Sequence, residues 1–172
     1  IIKNTINLDK NIIISGPNAS GKTTILKSSI FNIILSQQLG CGFFDSADLK
    51  IYDVIHCYLN IPDTSNRDSL FQAEARRCKE IITSISENGS KNHFCIFDEL
   101  YSGTNPDEAV KSGYHFLKYI NGKNVNFLLT THYTKLCRQL NTLNLSNYKM
   151  SVKIEENDFR YTYKLTKGIS KI

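Results

Sequence analysis

No stretch of this chain carries the roughly 18 consecutive apolar residues that crossing a bilayer requires, so no membrane span is predicted. Its five cysteines, Cys41, Cys57, Cys78, Cys95 and Cys137, are odd in number, widely spread and without a C-x-x-C pair. That spacing speaks against a zinc site and a disulfide framework, and reduced thiols in an intracellular compartment fit best. The basic side chains form no dense block, so the net charge of +5 reads as a solvated surface. Internal repeats, linkers and low-complexity segments are lacking too. The chain opens Ile1-Ile2-Lys3 with neither a methionine nor a signal peptide, which reads as the interior of a longer polypeptide.

What is there fits one domain with a real core, residues 1–172, of ordinary hydrophobic (41%) and charged (22%) content. Residues 11–15, with Ile12-Ile13-Ile14, predict a buried strand. A loop and a helix over 22–39 follow, with Gly40 as the stop. A strand is expected over 51–59. Over 70–87, Phe71, Ala75, Cys78, Ile82 and Ile85 fall on one helical face, closed by Asn88-Gly89. Residues 94–97 predict a second buried strand, in which Cys95 is a small core residue. Asn105 then reads as an N-cap, with Pro106 in the first turn and Glu108 three residues after the cap, for a helix to Ile120. A third buried strand is expected over 125–130. Segments 148–154 and 159–165 alternate apolar and polar around Glu155-Glu156-Asn157-Asp158, the pattern of a β-hairpin. Buried strands joined through helices predict an α/β domain: a mostly parallel central sheet, flanking helices and an antiparallel hairpin near the C-terminus.

Gly16-Pro17-Asn18-Ala19-Ser20-Gly21-Lys22-Thr23 matches G-x-x-x-x-G-K-[ST], placed between an expected strand and an expected helix. The glycines let the backbone turn its N–H groups toward phosphate oxygens, and the helix start adds a favourable dipole. Lys22 would reach the outer phosphates and the Thr23 hydroxyl would bind Mg²⁺. The apolar run before Asp98-Glu99 delivers that pair to the end of a buried strand. There Asp98 can hold the Mg²⁺ shell and Glu99 can polarise the attacking water. A D-E dipeptide alone is weak, because most are solvated; behind a phosphate loop it gains force. At the end of the next strand, Thr130-Thr131-His132 sets an imidazole where it would meet a γ-phosphate.

Together these residues resemble the ATPase domain of the MutS mismatch-repair family. Gly16 to Thr24 resembles its G-P-N-x-x-G-K-[ST]-T, Asp98 to Thr104 its D-E-x-x-x-G-T, and Thr131-His132-Tyr133 its T-H-Y/F. Asp68-Ser69-Leu70-Phe71-Gln72-Ala73-Glu74 is similar to its S-x-F-x-x-E signature. The resemblance implies a P-loop NTPase fold of the ABC type, with ATP and Mg²⁺ bound and ATP hydrolysed. It also implies a homo- or heterodimer with a second such domain, in which Ser69 contacts the partner's nucleotide. Mismatched or branched DNA would be held by domains absent from this chain, and ATP state would set their clamp conformation. Ile1 or Ile2, and Tyr163 shortly before Gly168, fall where adenine contacts would lie.

The chain departs from the family in three places. Ser102 stands where an arginine is frequent, the stretch from Ile61 to Arg67 points to a divergent branch, and the chain ends before the helical dimerisation segment. A role in recombination control or other DNA processing therefore stands beside mismatch repair. A transporter motor would need L-S-G-G-Q, which is absent. A non-hydrolysing nucleotide scaffold is disfavoured by the intact Lys22, Thr23, Asp98 and Glu99.

Overall fold

The computed structural model describes residues 2–59, 61, 69–155 and 158–171. Ile1, Asp68, positions 62–67 and the expected turn residues Glu156-Asn157 lie outside the described residues. The elements in chain order are β1 (Ile12–Ser15), α1 (Lys22–Leu39), β2 (Val54–Tyr58), α2 (Leu70–Glu87), β3 (His93–Asp98) and α3 (Pro106–Asn121). They continue with β4 (Val125–Thr131), α4 (Thr134–Leu140), a 3-10 turn (Asn141–Leu143), β5 (Ser146–Glu155) and β6 (Asp158–Lys167).

The six strands form one sheet in the order β2-β3-β4-β1-β5-β6. Every neighbouring pair runs parallel except β5 and β6, which form the antiparallel hairpin. Side-chain alternation along the strands sorts the core into two layers. Ile13, Cys95, Phe97, Phe127 and Leu129 pack with α2, α3 and α4 on one face. Ile12, Ile14, Phe94, Ile96 and Leu128 pack with Ile25, Leu26, Ile30 and Ile33 of α1 on the other. Helices thus cover both faces, which is why the central strands read as unbroken apolar runs.

Local chemistry sets the helix ends. α1 stops at Gly40, whose φ of 68° suits glycine and whose amide donates to Ser36 O at 3.0 Å. α3 starts at Asn105, whose side-chain oxygen accepts from Glu108 N at 3.0 Å, with Pro106 next. α2 starts at Ser69 in a full capping box with Gln72.

The structure differs from the sequence expectation in three respects. β2 begins at Val54, not Ile51. The short α4 carries no side-chain cap at its start, and its buried Leu136, Cys137 and Leu140 span too few residues to show a helical period. The buried stripe of α2 is Glu74, Cys78, Ile81 and Ile85, so a carboxylate occupies a place where an apolar side chain was expected. Among the described residues no helix is long and apolar enough to cross a membrane.

Candidate functional site

Parallel pairing brings the carboxyl ends of β1, β3 and β4 side by side, with Ser15 opposite Thr131 and Asp98 opposite Thr130. The loops leaving those ends are the phosphate-loop motif, the acidic pair and the Thr-His pair. Such carboxyl-end crevices are where open α/β sheets bind ligands.

Two residues of the phosphate loop adopt left-handed backbone conformations: Ala19 at φ 62° and Gly21, directly before α1, at φ 94°. A Cβ on Gly21 would also stand 3.1 Å from Cδ1 of Tyr163, so the bare glycine gives that ring room against the helix start. Pro17 and Asn18 lie along the same turn, where Ser20 N donates to Pro17 O at 3.4 Å, and Thr24 follows in the first turn of α1. Ser20 is buried, and its hydroxyl finds no partner among the described residues.

Lys22 is 4% exposed and donates to Gly16 O at 2.9 Å and Pro17 O at 3.0 Å. Its Nζ also lies 3.4 Å from Oε1 of Glu99, while Nδ1 of His132 lies 3.4 Å from Oε2 of the same carboxylate. Glu99 is thus held between a buried ammonium and a half-exposed imidazole. The Thr23 hydroxyl donates to Asp98 Oδ2 at 2.9 Å, and the Thr130 hydroxyl makes a short bond to Asp98 Oδ1. Thr23 and Asp98 present hard oxygen donors at one point, beside a loop built for phosphate. That set suits Mg²⁺, which takes few protein ligands and completes its shell with phosphate oxygens and water. Among the described residues no group of three or more His, Cys, Asp or Glu could hold a metal otherwise.

Tyr163 is 47% exposed with φ 55°, beside a register break in the hairpin between Met150 and Val152. A bulge of this kind re-aims a side chain, here toward Gly21. Asn4 locks the arrangement: its side-chain amide donates to Tyr163 O at 3.0 Å and accepts from Leu165 N at 2.7 Å. Ile2, also 47% exposed, lies two residues before that clamp.

Ser69 is not part of this cluster. It caps α2, whose first turn lies against Gly103 of the loop after β3. Thr130 and Glu74 stand inside the sequence motifs, but no motif gives either a task, and Asn4 lies outside all of them. Only the strand register, which sets Thr130 opposite Asp98, marks Thr130 as a partner, and register needs the sheet order.

Comparisons with known proteins fall on one family. The description MutS domain V matches residues 12–172. Endonuclease MutS2 of Lachnoclostridium phytofermentans is 29% identical over 92% of this chain and 20% of its own length. Endonuclease MutS2 of Staphylococcus haemolyticus is 30% identical over 98% of this chain and 22% of its own. The same-named protein of Staphylococcus aureus is 28% identical over 98% and 24%. The chain therefore spans about a fifth of the length of the curated relatives it matches. With the match running through all three strand-end loops, the chain belongs to the MutS family, as a domain V, the ATPase domain of that family.

Proposed function

We propose that this domain adopts the P-loop NTPase arrangement of the ABC type, binds ATP with Mg²⁺ at Gly16–Thr24 and hydrolyses it. The observation that carries the reading is the contact of Thr23 with Asp98 at 2.9 Å, with Glu99 set between Lys22 and His132. The backbone N–H groups from Gly16 to Thr24 cradle the phosphates, aided by the α1 dipole. Lys22 exchanges its loop carbonyls for phosphate oxygens, and Thr23 with Asp98 holds the metal, which supplies charge neutralisation. Glu99 accepts the proton of the attacking water, and His132 fixes the free carboxylate oxygen and faces the outer phosphate. Tyr163 offers its ring to the adenine next to Gly21, with Ile2 on the same approach.

Ser69 caps α2 outside the cluster of Lys22, Thr23, Asp98, Glu99 and His132; two domains face each other, and each Ser69 completes the other's site. In the intact protein this ATP cycle drives the conformation of DNA-holding parts. The curated relatives carry the name of an endonuclease, which favours a general DNA-processing role over mismatch reading alone. Binding of mismatched, branched and plain duplex DNA by the intact protein separates the two.

The test of the core reading is Glu99→Gln, which keeps shape and metal binding but removes the proton acceptor. Nucleotide affinity is expected to survive while phosphate release falls by at least about 10²-fold. Normal turnover in that variant would mean that the base lies elsewhere.

A further inference from the structure

The segment that follows the acidic pair is shaped in a way the hydrolytic chemistry does not by itself require. Glu99 and Tyr101 both sit in the left-handed backbone region, at φ 53° and 57°, a cost of order 1–3 kcal/mol each for non-glycine residues. Such a turn persists only where neighbours over-determine it. The neighbours are the first three turns of α2, whose residues Phe71, Glu74 and Cys78 lie on one helical face.

Glu74 is 1% exposed, and its carboxylate accepts three bonds from two consecutive residues. Oε1 takes Ser102 N at 2.9 Å and Ser102 Oγ at 3.0 Å, and Oε2 takes Gly103 N at 3.1 Å. The Phe71 and Tyr101 rings lie 5.8 Å apart, and Tyr101 N donates to Tyr58 Oη at 3.2 Å. Gly103 fits flat on the helix start: a Cβ there would come within 2.7 Å of Leu70 Cγ and 2.8 Å of Phe71 N. A buried carboxylate is costly unless its lone pairs are filled, and here the donors come from the loop that begins at Glu99. The same helix starts at Ser69, whose Oγ caps Gln72 N and so takes its position from α2.

We propose that Glu74 is a positioning residue that ties the loop Leu100–Gly103 to the start of α2, so that Glu99 and Ser69 move as one body. This rests on the ATPase reading with composite sites. A shift of Glu99 on hydrolysis in one site then displaces the Ser69 that this chain lends to the other, giving the two sites a mechanical link. Glu74 touches no nucleotide; it acts through the loop it holds.

The test uses the intact protein with two variants that fail differently. Glu74→Gln keeps volume but turns one acceptor oxygen into an N–H donor facing Gly103 N. Gly103→Ala adds one methyl that collides with Leu70 and Phe71 N and so wedges the loop off α2, while the Glu74 side chain itself is left unaltered. Turnover is counted per nucleotide-competent site, so misfolded protein drops out. In both variants kcat is expected to fall about tenfold while KM stays within about threefold, the pattern of lost positioning. Amide hydrogen exchange over 69–73 and over 99–104 is expected to quicken together in both. A kcat within about twofold of wild type in both variants would overturn the proposal, as would quickening confined to 99–104. If Glu74→Gln does not fold, Gly103→Ala alone decides. If the wild type binds ATP without turning it over, the ATPase reading fails, and the exchange measurement still decides whether the tie exists.

Discussion

Asp98 accepts hydroxyls from two threonines on neighbouring elements, Thr23 at the start of α1 and Thr130 near the end of β4. Thr23 is already a motif residue; Thr130 is buried, and its hydroxyl also reaches Phe97 O at 3.4 Å. Its task is to hold one carboxylate oxygen so that the other faces Thr23. Thr130→Val keeps the shape and removes only the hydroxyl, leaving Asp98 free to rotate away from the metal. The Mg²⁺ concentration giving half-maximal ATP turnover should rise about tenfold, with the melting temperature little changed. An unchanged Mg²⁺ requirement would show that Asp98 is held without this bond. At this scale the sequence was legible where a motif fixes spacing along the chain, as from Gly16 to Thr24. It was illegible where the partner comes from another strand, as with Thr130 and Asp98, or where a buried acid breaks an apolar stripe, as with Glu74.

Elements were legible wherever period and end signals agreed. α1, α2 and α3 end where Gly40, Asn88 and Gly122 stand, because those residues close helices cheaply or cap their last carbonyls. α4 escaped because one buried turn and a half carries no readable period. The corner where α2 meets β2 and β3 holds a device that no pattern reveals, a buried pair of imidazoles. His93 Nε2 lies 3.0 Å from Asn88 O, a carbonyl that can only accept, so that nitrogen carries the proton. His93 Nδ1 is then the acceptor for His56 Nε2 at 3.1 Å, and the chain links the end of α2 to the sheet edge. Burial first, then the neighbouring His93 and Arg77, lower the His56 pKa to about 4. The fold therefore holds His56 neutral, whereas the unfolded chain titrates near 6.5. Stability from this pair is complete above pH 6.5 and declines as pH falls toward 4, because the unfolded chain takes up the proton first. Thermal melts across that window should lose on the order of 2 kcal/mol more in the wild type than in His56→Gln. Parallel curves would show that this imidazole does not control acid stability.

The whole molecule matters most for Ser69. It stands at the start of α2, next to Leu70 and Phe71, which a Cβ on Gly103 of the loop after β3 would meet. Its Oγ accepts from Gln72 N at 3.3 Å and keeps its own proton to donate. The composite site joins Lys22, Thr23, Asp98 and Glu99 of one chain with Ser69 of another. Activity per chain should then rise with protein concentration, since the second chain acts as a ligand of the first. Mixing two crippled chains gives a sharper answer. Glu99→Gln spoils only the site that holds that chain's own nucleotide. Ser69→Ala spoils only the site of the facing chain. In a mixed dimer both defects fall on one site, and the other combines an intact Glu99 with an intact Ser69. Random pairing makes half the dimers mixed, so an equimolar mixture should recover about a quarter of wild-type turnover from two nearly inactive parents. If each chain completed its own site, the mixture would give only the mean of the parents, and phosphate release measured before and after mixing separates the two outcomes.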